Sequence, residues 1–170
     1  MFERATAQAL SAQLDLVAGV SGDWALVTAG TEATGWNTMT IGWGSAGTLW
    51  STPVVTVYVH PKRFTHEFLM REAYFTVQLF DGEYKRDLGI LGSKSGRDGN
   101  KVALTSLTPK AIEHGMTFEE AKTTIVCRKI YTHHMDLAEV PSEVRDHMRG
   151  GLYEREAHTV FVGEVVNVLS

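Results

Sequence analysis

The sequence predicts a mainly β domain, an antiparallel barrel or sandwich with short helices at its connections. Six runs are rich in β-branched and aromatic residues, and glycine or proline interrupts the chain near several of their ends. Helical patterns between these runs are few and short, which argues against the alternating strands and helices of an α/β fold. With 170 residues, of which 44% are hydrophobic, the chain has the size and composition of one globular domain.

The N-terminal half supplies three of the strands and two of the helices. In chain order, the predicted elements are a helix over 5–16, strands over 24–28, 37–43 and 54–60, and a helix over 63–71. Alternation or β-branched residues mark the strands, and Pro61 ends the third of them. Phe64 and Phe68 are four residues apart, which places them on one face of a helix.

The C-terminal half supplies the other three strands. The predicted elements are a strand over 74–80, a short helix over 83–91, a polar loop over 92–101, a strand over 123–134, a helix or irregular segment over 138–151, and a strand over 158–169. Phe75, Val77 and Leu79 share one face of the first of these strands. Gly163 is expected to interrupt the last strand.

Charge, cysteine content and hydropathy exclude several classes of function. The formal net charge of -4 and the isoelectric point of about 6.0 argue against binding to a nucleic-acid backbone. The single cysteine, Cys127, excludes an internal disulfide and suits a reducing compartment. The sequence shows no signal-peptide pattern and no apolar run near the roughly 18 residues of a membrane helix. We therefore expect a soluble cytoplasmic protein.

Gly42, Gly44 and Gly47 match the G-x-G-x-x-G pattern of dinucleotide-binding proteins, but their context does not. That pattern has meaning only where the glycines end a strand and open a helix. Here Pro53 and a β-branched run follow, which favours a further strand. We interpret residues 37–44 as a strand with a slim polar face, where glycine permits the close approach of a ligand or another backbone.

Two other segments have the residue types of an anion site. The loop over 91–101 holds three cations, two hydroxyls and three glycines, a composition that suits backbone N–H groups turned around a phosphate. Arg63 and Thr65 start the predicted helix over 63–71, where Thr65 can cap the helix and free N–H groups attract anions. Taken alone, the loop is also explained as a solvated surface loop, and Arg63 with Thr65 as an ordinary helix start.

Metal, cysteine and serine chemistry find little support in the sequence. His133 and His134 are adjacent on a predicted strand, so they point to opposite faces and cannot bind one metal from there. The spacings H-E-x-x-H, C-x-x-C and G-x-S-x-G are absent, and we expect no metal site. Cys127 is expected to be a buried small apolar group, and His158 stands at the start of the last strand.

Four segments together resemble a known family. They are Asn37–Gly44, Pro61–Thr65, Ser95–Lys101 and His158–Val166. Through their order and spacing the chain is identified as a member of the flavin reductase-like, FMN-binding split-barrel family, close to its flavoredoxin branch. The resemblance covers nearly everything over 24–169. It implies one domain over 1–170, a six-stranded antiparallel split barrel of the Greek-key type, with residues 1–20 as an N-terminal helical extension.

The resemblance also implies FMN as the cofactor and assigns residues to it. The strand would line the flavin ring and ribityl chain through Asn37, Thr38, Met39, Thr40, Trp43 and Gly44. The phosphate would be approached by Arg63 and Thr65, and the polar end would be closed by Ser93, Lys94, Ser95, Gly96, Arg97, Asp98 and Lys101. His158 matches a histidine on the nicotinamide or substrate side, and no residue is assigned as a firm catalytic group.

The implied activity is that of a flavin reductase-type oxidoreductase, which passes a hydride from NAD(P)H through FMN to a flavin or another small acceptor. The implied assembly is a homodimer with FMN near the interface. The alternative is a non-enzymatic FMN electron carrier like flavoredoxin, and a role like that of pyridoxamine-phosphate oxidase fits the phosphate segments less well. Neither nucleic acid nor membrane is expected as a partner.

Overall fold

The computed structural model describes residues 7–148 and 156–170. Its α-helices are α1 (Ala7–Gly22), α2 (Phe64–Arg71), α3 (Lys85–Ser93) and α4 (Ser142–His147). Its strands are β1 (Ala25–Thr31), β2 (Gly35–Ile41), β3 (Gly44–Leu49), β4 (Thr52–Val59), β5 (Tyr74–Leu79), β6 (Pro109–Ile112), β7 (Gly115–Phe118), β8 (Thr123–His134) and β9 (Thr159–Leu169). Single 3-10 turns occur at Gly82–Tyr84, Lys101–Leu104 and Leu137–Glu139.

Seven of these strands form one antiparallel sheet, in the spatial order β2-β1-β5-β8-β9-β4-β3, and β6 pairs with β7 in a separate hairpin. β5, β8 and β9 lie side by side, and β4 returns next to β9 as in a Greek key. β4 also contacts β2 without pairing with it, so the sheet is strongly curved and forms a barrel that is open between these two strands. The predicted mainly β antiparallel fold is confirmed, although the main sheet has seven strands within the described residues and not six.

Each predicted strand is present, with ends that shift by a few residues, and β8 has the predicted bounds. Three further strands escaped prediction: β3, which consists largely of small residues, and the hairpin of β6 and β7. The predicted helix over 83–91 is a 3-10 turn followed by α3, and the leading helix continues to Gly22. Within 138–151, a 3-10 turn and α4 are present, and 149–151 lie outside the described residues.

Two apolar clusters fix α1, α2 and α3 against the sheet. The larger cluster packs α1 and α2 on one sheet face and includes Leu16, Leu69 and Phe161. The smaller cluster lies on the other face, where α3 buries Leu88 and Leu91. Burial of such side chains stabilises the fold by about 1.5–3 kcal/mol each, before the entropy cost of ordering them. The C-terminal half of α3 is thereby held beside β2.

Gly163 does not interrupt β9, contrary to the prediction. A Cβ at this position would lie 2.6 Å from both the Cys127 Cβ and the Phe75 Cζ, so core packing requires glycine there. Cys127 is fully buried, as predicted. Burial raises the pKa of the Cys127 thiol, so the reactive thiolate is disfavoured at neutral pH.

The N-terminal helix α1 is attached to the barrel through apolar and polar contacts. Leu16 and Val20 are buried against the sheet. The Gln13 Nε2 donates to Gly47 O at 2.8 Å and to Val54 O at 2.9 Å, which ties α1 to both β3 and β4. Within the described ranges, the helices all fall short of the length and apolar character that a membrane-spanning helix needs.

Candidate functional site

Two adjoining cavities lie where the edge strand β2, the start of α2 and the end of α3 meet. The wide cavity has a volume of about 450 Å³ and the narrow cavity one of about 140 Å³. Met39, Arg63, Gly92 and Ser93 line both cavities, so the two form one elongated cleft. One end of this cleft is aromatic and the other end is cationic.

Aromatic rings form much of the wide cavity. They belong to Trp24, Trp43, Tyr58, His60 and His158. Trp24 is 38% exposed and Trp43 is 53% exposed, which places both at the mouth of the cavity. The His158 ring meets the Trp43 and His60 rings edge-on, with centroids 5.1 Å and 5.4 Å apart. Aromatic walls of this kind favour a flat, conjugated ligand.

Burial keeps His158 of the wide cavity neutral at physiological pH, and hydrogen bonds orient the ring of His60. Burial, with smaller effects from His60 and the Arg63 charge, lowers the pKa of His158 to about 4. The Lys62 N–H donates to His60 Nδ1 at 3.2 Å. The ring proton of a neutral His60 therefore sits on Nε2, which lies 3.2 Å from Glu156 O and donates to it. The part of the wall that His158 forms is thus uncharged where a flat ligand would contact it.

β2 forms one side of the wide cavity because it is the last strand of the sheet at that end. Its outer edge offers backbone N–H and C=O groups that pair with no other strand among the described residues. Thr40 lines the cavity, and its hydroxyl donates to Leu88 O, which joins β2 to α3. Met39 and Ile41 lie on the face of β2 opposite to Thr40, and they also line the cavity. Side chains of both faces can contact the cavity because it lies at the outer edge of the strand.

The narrow cavity carries concentrated positive charge. Its lining includes Lys62, Arg63, Lys94 and Lys101, and the described residues that line it include no carboxylate. It lies at the start of α2, where the first helical N–H groups lack acceptors within the helix. A phosphate ester is the ligand that such a charge distribution favours.

Arg63 and Lys101 are held in place by carbonyl groups at the end of α3. The Arg63 Nη1 donates to Gly92 O at 3.2 Å, and the Lys101 Nζ donates to Leu91 O at 2.6 Å and to Lys94 O at 3.2 Å. Burial, followed by repulsion from Arg63, lowers the pKa of the Lys101 ammonium to about 8. An anion in the cavity would oppose that repulsion and favour the charged form.

The inner wall of the narrow cavity joins β2 to α2 and to the loop after α3. The Asn37 Nδ2 donates to Thr65 Oγ1 at 2.7 Å. Thr65 therefore does not cap α2, contrary to the prediction, and the α2 N-cap residue, Arg63, has no side-chain capping bond. A Cβ on Gly96 would overlap Asn37 Oδ1 and lie 3.0 Å from Phe64 Cδ1, so only glycine lets the loop approach this closely.

The structure brings most of the residues predicted to contact the cofactor together in this cleft. Those that line one or both cavities are Asn37, Met39, Thr40, Trp43, Arg63, Thr65, Ser93, Lys94, Ser95, Gly96 and Lys101. His158, predicted on the nicotinamide or substrate side, lines the wide cavity. The Thr38 side chain instead lies in a buried polar cluster, where its Oγ1 is 2.8 Å from the Thr28 hydroxyl. Gly44, Arg97 and Asp98 also lie outside the cavity walls.

The cleft contains residues that sequence reasoning did not assign to the cofactor. They are Trp24, Ile41, Gly42, Tyr58, His60, Lys62, Phe64, Leu88, Gly89, Leu91 and Gly92. Lys62 lies inside the segment Pro61–Thr65 that carries the family resemblance, and His60 directly precedes that segment, so both positions could have been found from the sequence. Tyr58 and Leu88 come from separate elements, and only the tertiary fold brings them to the site. In the part of the chain that the structure describes, His, Cys, Asp and Glu side chains form no group suited to a metal ion.

Comparison with known proteins agrees with this architecture. Residues 17–170 match the sequence model of the flavin reductase like domain family. The flavoredoxin of Methanosarcina acetivorans has 19% identity and a TM-score of 0.66, over 87% of this chain and 68% of that chain. A Thermus thermophilus FMN-binding protein with bound p-hydroxybenzaldehyde has 23% identity and a TM-score of 0.67, over 88% and 71%. A Streptomyces globisporus NADH:FAD oxidoreductase, in complex with NAD and FAD fragments, has 16% identity and a TM-score of 0.63, over 90% and 79%.

Proposed function

The chain belongs to the flavin reductase-like domain family, and on this premise we propose that it is an FMN-dependent oxidoreductase. It would accept a hydride from NAD(P)H and pass electrons to a flavin or another small acceptor. The observation that carries the proposal is the joining of an aromatic cavity to a narrow cationic one through shared wall residues. That shape suits a flat ring that is linked by a short chain to a phosphate.

The residues present fit FMN at both ends of the cleft. The aromatic walls and the open edge of β2 suit the flavin ring, which is flat and has hydrogen-bonding groups along one edge. The close approach of Gly96 to Asn37 and Phe64 brings the loop after α3 against β2 and α2, so that all three line the narrow cavity together. Arg63 and Lys101 would hold the phosphate dianion, together with the first N–H groups of α2.

When bound, FMN supplies the hydride and electron chemistry, and the protein supplies binding, orientation and exclusion of water. His158, neutral near pH 7, would offer its ring to a second flat ligand without adding charge to the cavity. Tyr58 and His60 would narrow the same side of the cavity. Arg63, which lines both cavities, would fix the position of the ring relative to the phosphate.

Anaerobic titration of the flavin-loaded protein with NADH and then NADPH tests this activity. We expect one or both nucleotides to bleach the visible absorption band of oxidised flavin, and turnover to continue when free flavin is added as the acceptor. A protein that remains colourless after incubation with FMN would contradict the proposal. The family resemblance covers no nucleotide-discriminating residue, so the titration also identifies the preferred nucleotide.

A non-enzymatic electron carrier is the second candidate, since flavoredoxins from two organisms share this fold. The same titration separates the two functions. If neither nucleotide reduces the bound flavin but dithionite does, the carrier function is favoured, because a carrier takes electrons from a protein partner.

We also propose a homodimer in which a second copy covers the mouth of the wide cavity. Trp24 and Trp43 are large apolar side chains exposed at that mouth, a position that favours coverage by another protein surface. We expect dilution to monomer to release FMN, as followed by analytical ultracentrifugation at the flavin absorption band. A verified monomer that retains its flavin would place the complete site within one chain.

A further inference from the structure

The Arg97 side chain extends from the loop after α3 onto α2 and does not line either cavity. Its Nη1 donates to Lys62 O at 3.1 Å, and its Nη2 pairs with the Glu67 carboxylate. Its guanidinium carbon lies 4.9 Å from the centre of the Phe64 ring. All three contacts lie at the start of α2, so Arg97 joins the loop over 94–100 to the helix that follows Arg63.

The same loop is closed against its surroundings at other points. The Arg97 N–H donates to Ser95 Oγ at 3.2 Å, and the Asp98 N–H donates to Ser95 O at 3.2 Å, which makes a tight turn. Gly96 packs against β2 and α2, and Lys101 is bonded to carbonyls at the end of α3. Lys94, Ser95 and Gly96 line the narrow cavity, so the position of this loop determines the shape of that cavity.

We propose that Arg97 and Glu67 are positioning residues for the phosphate end of the flavin. Their ion pair holds the loop closed on α2, so that Lys94, Ser95 and Lys101 face the phosphate, and Arg97 itself makes no contact with the phosphate. This inference rests on the proposed function, because it requires FMN in the cleft. It gives Glu67, an exposed carboxylate outside the cavity, a role in cofactor affinity.

α2 provides a matched control at its other end. The Arg71 Nε pairs with the Glu72 carboxylate at 2.9 Å, and the Arg71 guanidinium carbon lies 4.2 Å from the centre of the Phe68 ring. The Arg71 Nη2 donates to Thr34 O at 2.7 Å. This arrangement has the same parts as the one at Arg97, but neither Arg71 nor Glu72 lines the wide or the narrow cavity. Removal of the Arg97–Glu67 pair and removal of the Arg71–Glu72 pair should lower the stability of α2 by similar amounts. Only removal of the Arg97–Glu67 pair should weaken phosphate binding.

The test compares FMN with riboflavin, which lacks the phosphate, by fluorescence titration of the flavin-free protein. The variants are Glu67→Gln, Arg97→Gln and their combination, with Glu72→Gln and Arg71→Gln as controls. We expect each of the first two to lower FMN affinity about two- to fivefold, the magnitude of an exposed ion pair. The combined variant should bind FMN no more weakly than the single variant with the lower FMN affinity. The riboflavin affinity of these variants and the FMN affinity of the control variants should remain unchanged. Charge reversal, Glu67→Arg with Arg97→Glu, should restore part of the FMN affinity.

Several results would overturn this inference. If Arg97→Gln weakens FMN binding while Glu67→Gln leaves it unchanged or tightens it, Arg97 contacts the phosphate directly. If a variant loses affinity for FMN and for riboflavin equally, the pair has only a structural role. The same conclusion follows if the loss of FMN affinity is accompanied by a fall in the melting temperature of the flavin-free protein that is large enough to explain it. Unchanged FMN affinity in all variants overturns the inference alone. Failure of the unaltered protein to bind any flavin would overturn the proposed function and the inference with it.

Discussion

Replacement of Arg63 by alanine is expected to weaken FMN binding about tenfold to a hundredfold, the usual effect of losing one contact between a cation and a charged group. Arg63 lies at the start of α2 and lines both cavities. Among the described residues it is the one cation that lies where the ring end and the phosphate end of the cleft meet. Isothermal titration of the flavin-free protein with FMN measures the effect directly. Riboflavin affinity should change much less.

Arg71→Ala is the control for Arg63→Ala, because Arg71 also belongs to the α2 segment and donates to backbone carbonyls, Thr34 O and Gly35 O. Arg63 donates to Gly92 O, so the melting temperature of the flavin-free protein must be compared as well. An Arg63→Ala variant that keeps its FMN affinity, with a normal melting temperature, would remove Arg63 from the phosphate site.

FMN affinity is expected to fall about tenfold between about pH 7 and about pH 9 because Lys101 loses its charge in this range. The pKa of Lys101 in the flavin-free protein is lowered to about 8, first by burial and then by Arg63. Below that value the ammonium is charged and attracts the phosphate, and above it the amine is neutral. A bound phosphate favours the charged form, so binding takes up a proton above about pH 8 and weakens as the pH rises.

The matched variant for this pH effect is Lys101→Met, which removes the titrating group and keeps an unbranched apolar side chain. Its FMN affinity should be low and nearly independent of pH over the same interval. Riboflavin, which has no phosphate, should show no pH dependence that involves Lys101. A pH profile that is identical in Lys101→Met and the unaltered protein would show that another group causes it.

The antiparallel fold was predictable because its strands have strong local signals. β8 and β9 are rich in β-branched residues, and their predicted positions agree with the structure. β3 lacked such a signal, since Gly44, Ser45, Ala46 and Gly47 have small side chains, and its strand conformation depends on pairing with β4. That pairing is a tertiary interaction, which a local pattern does not contain.

The positions of the cationic segments were predictable, while the directions of their side chains were not. Lys101 and Arg97 are close in sequence and both are cations. In the structure, Lys101 turns inward to the carbonyls at the end of α3, and Arg97 turns outward to Glu67. This difference arises from the tight turn at Ser95 and the packing of Gly96, which the residue types alone do not reveal.

The assignment of strand faces shows a similar limit. Alternation places Thr38 and Thr40 on the same side of β2, yet Thr38 is fully buried while Thr40 reaches the wide cavity. Thr38 lies opposite Thr28 of β1, under the polar cluster that includes Gln78. Thr40 lies beside α3, where the sheet ends and the cleft begins. Position along the strand, and not only its alternation, decides which side chains reach the site.

A crystal structure of the protein with FMN tests the central claim most directly, namely that the narrow cationic cavity holds the phosphate of a flavin. The expected result places the phosphate within hydrogen-bonding distance of Arg63 and Lys101, and the flavin ring against β2 and the wall that contains Trp43 and His158. A flavin bound with its phosphate outside this cavity, or with its ring elsewhere on the barrel, would contradict the claim.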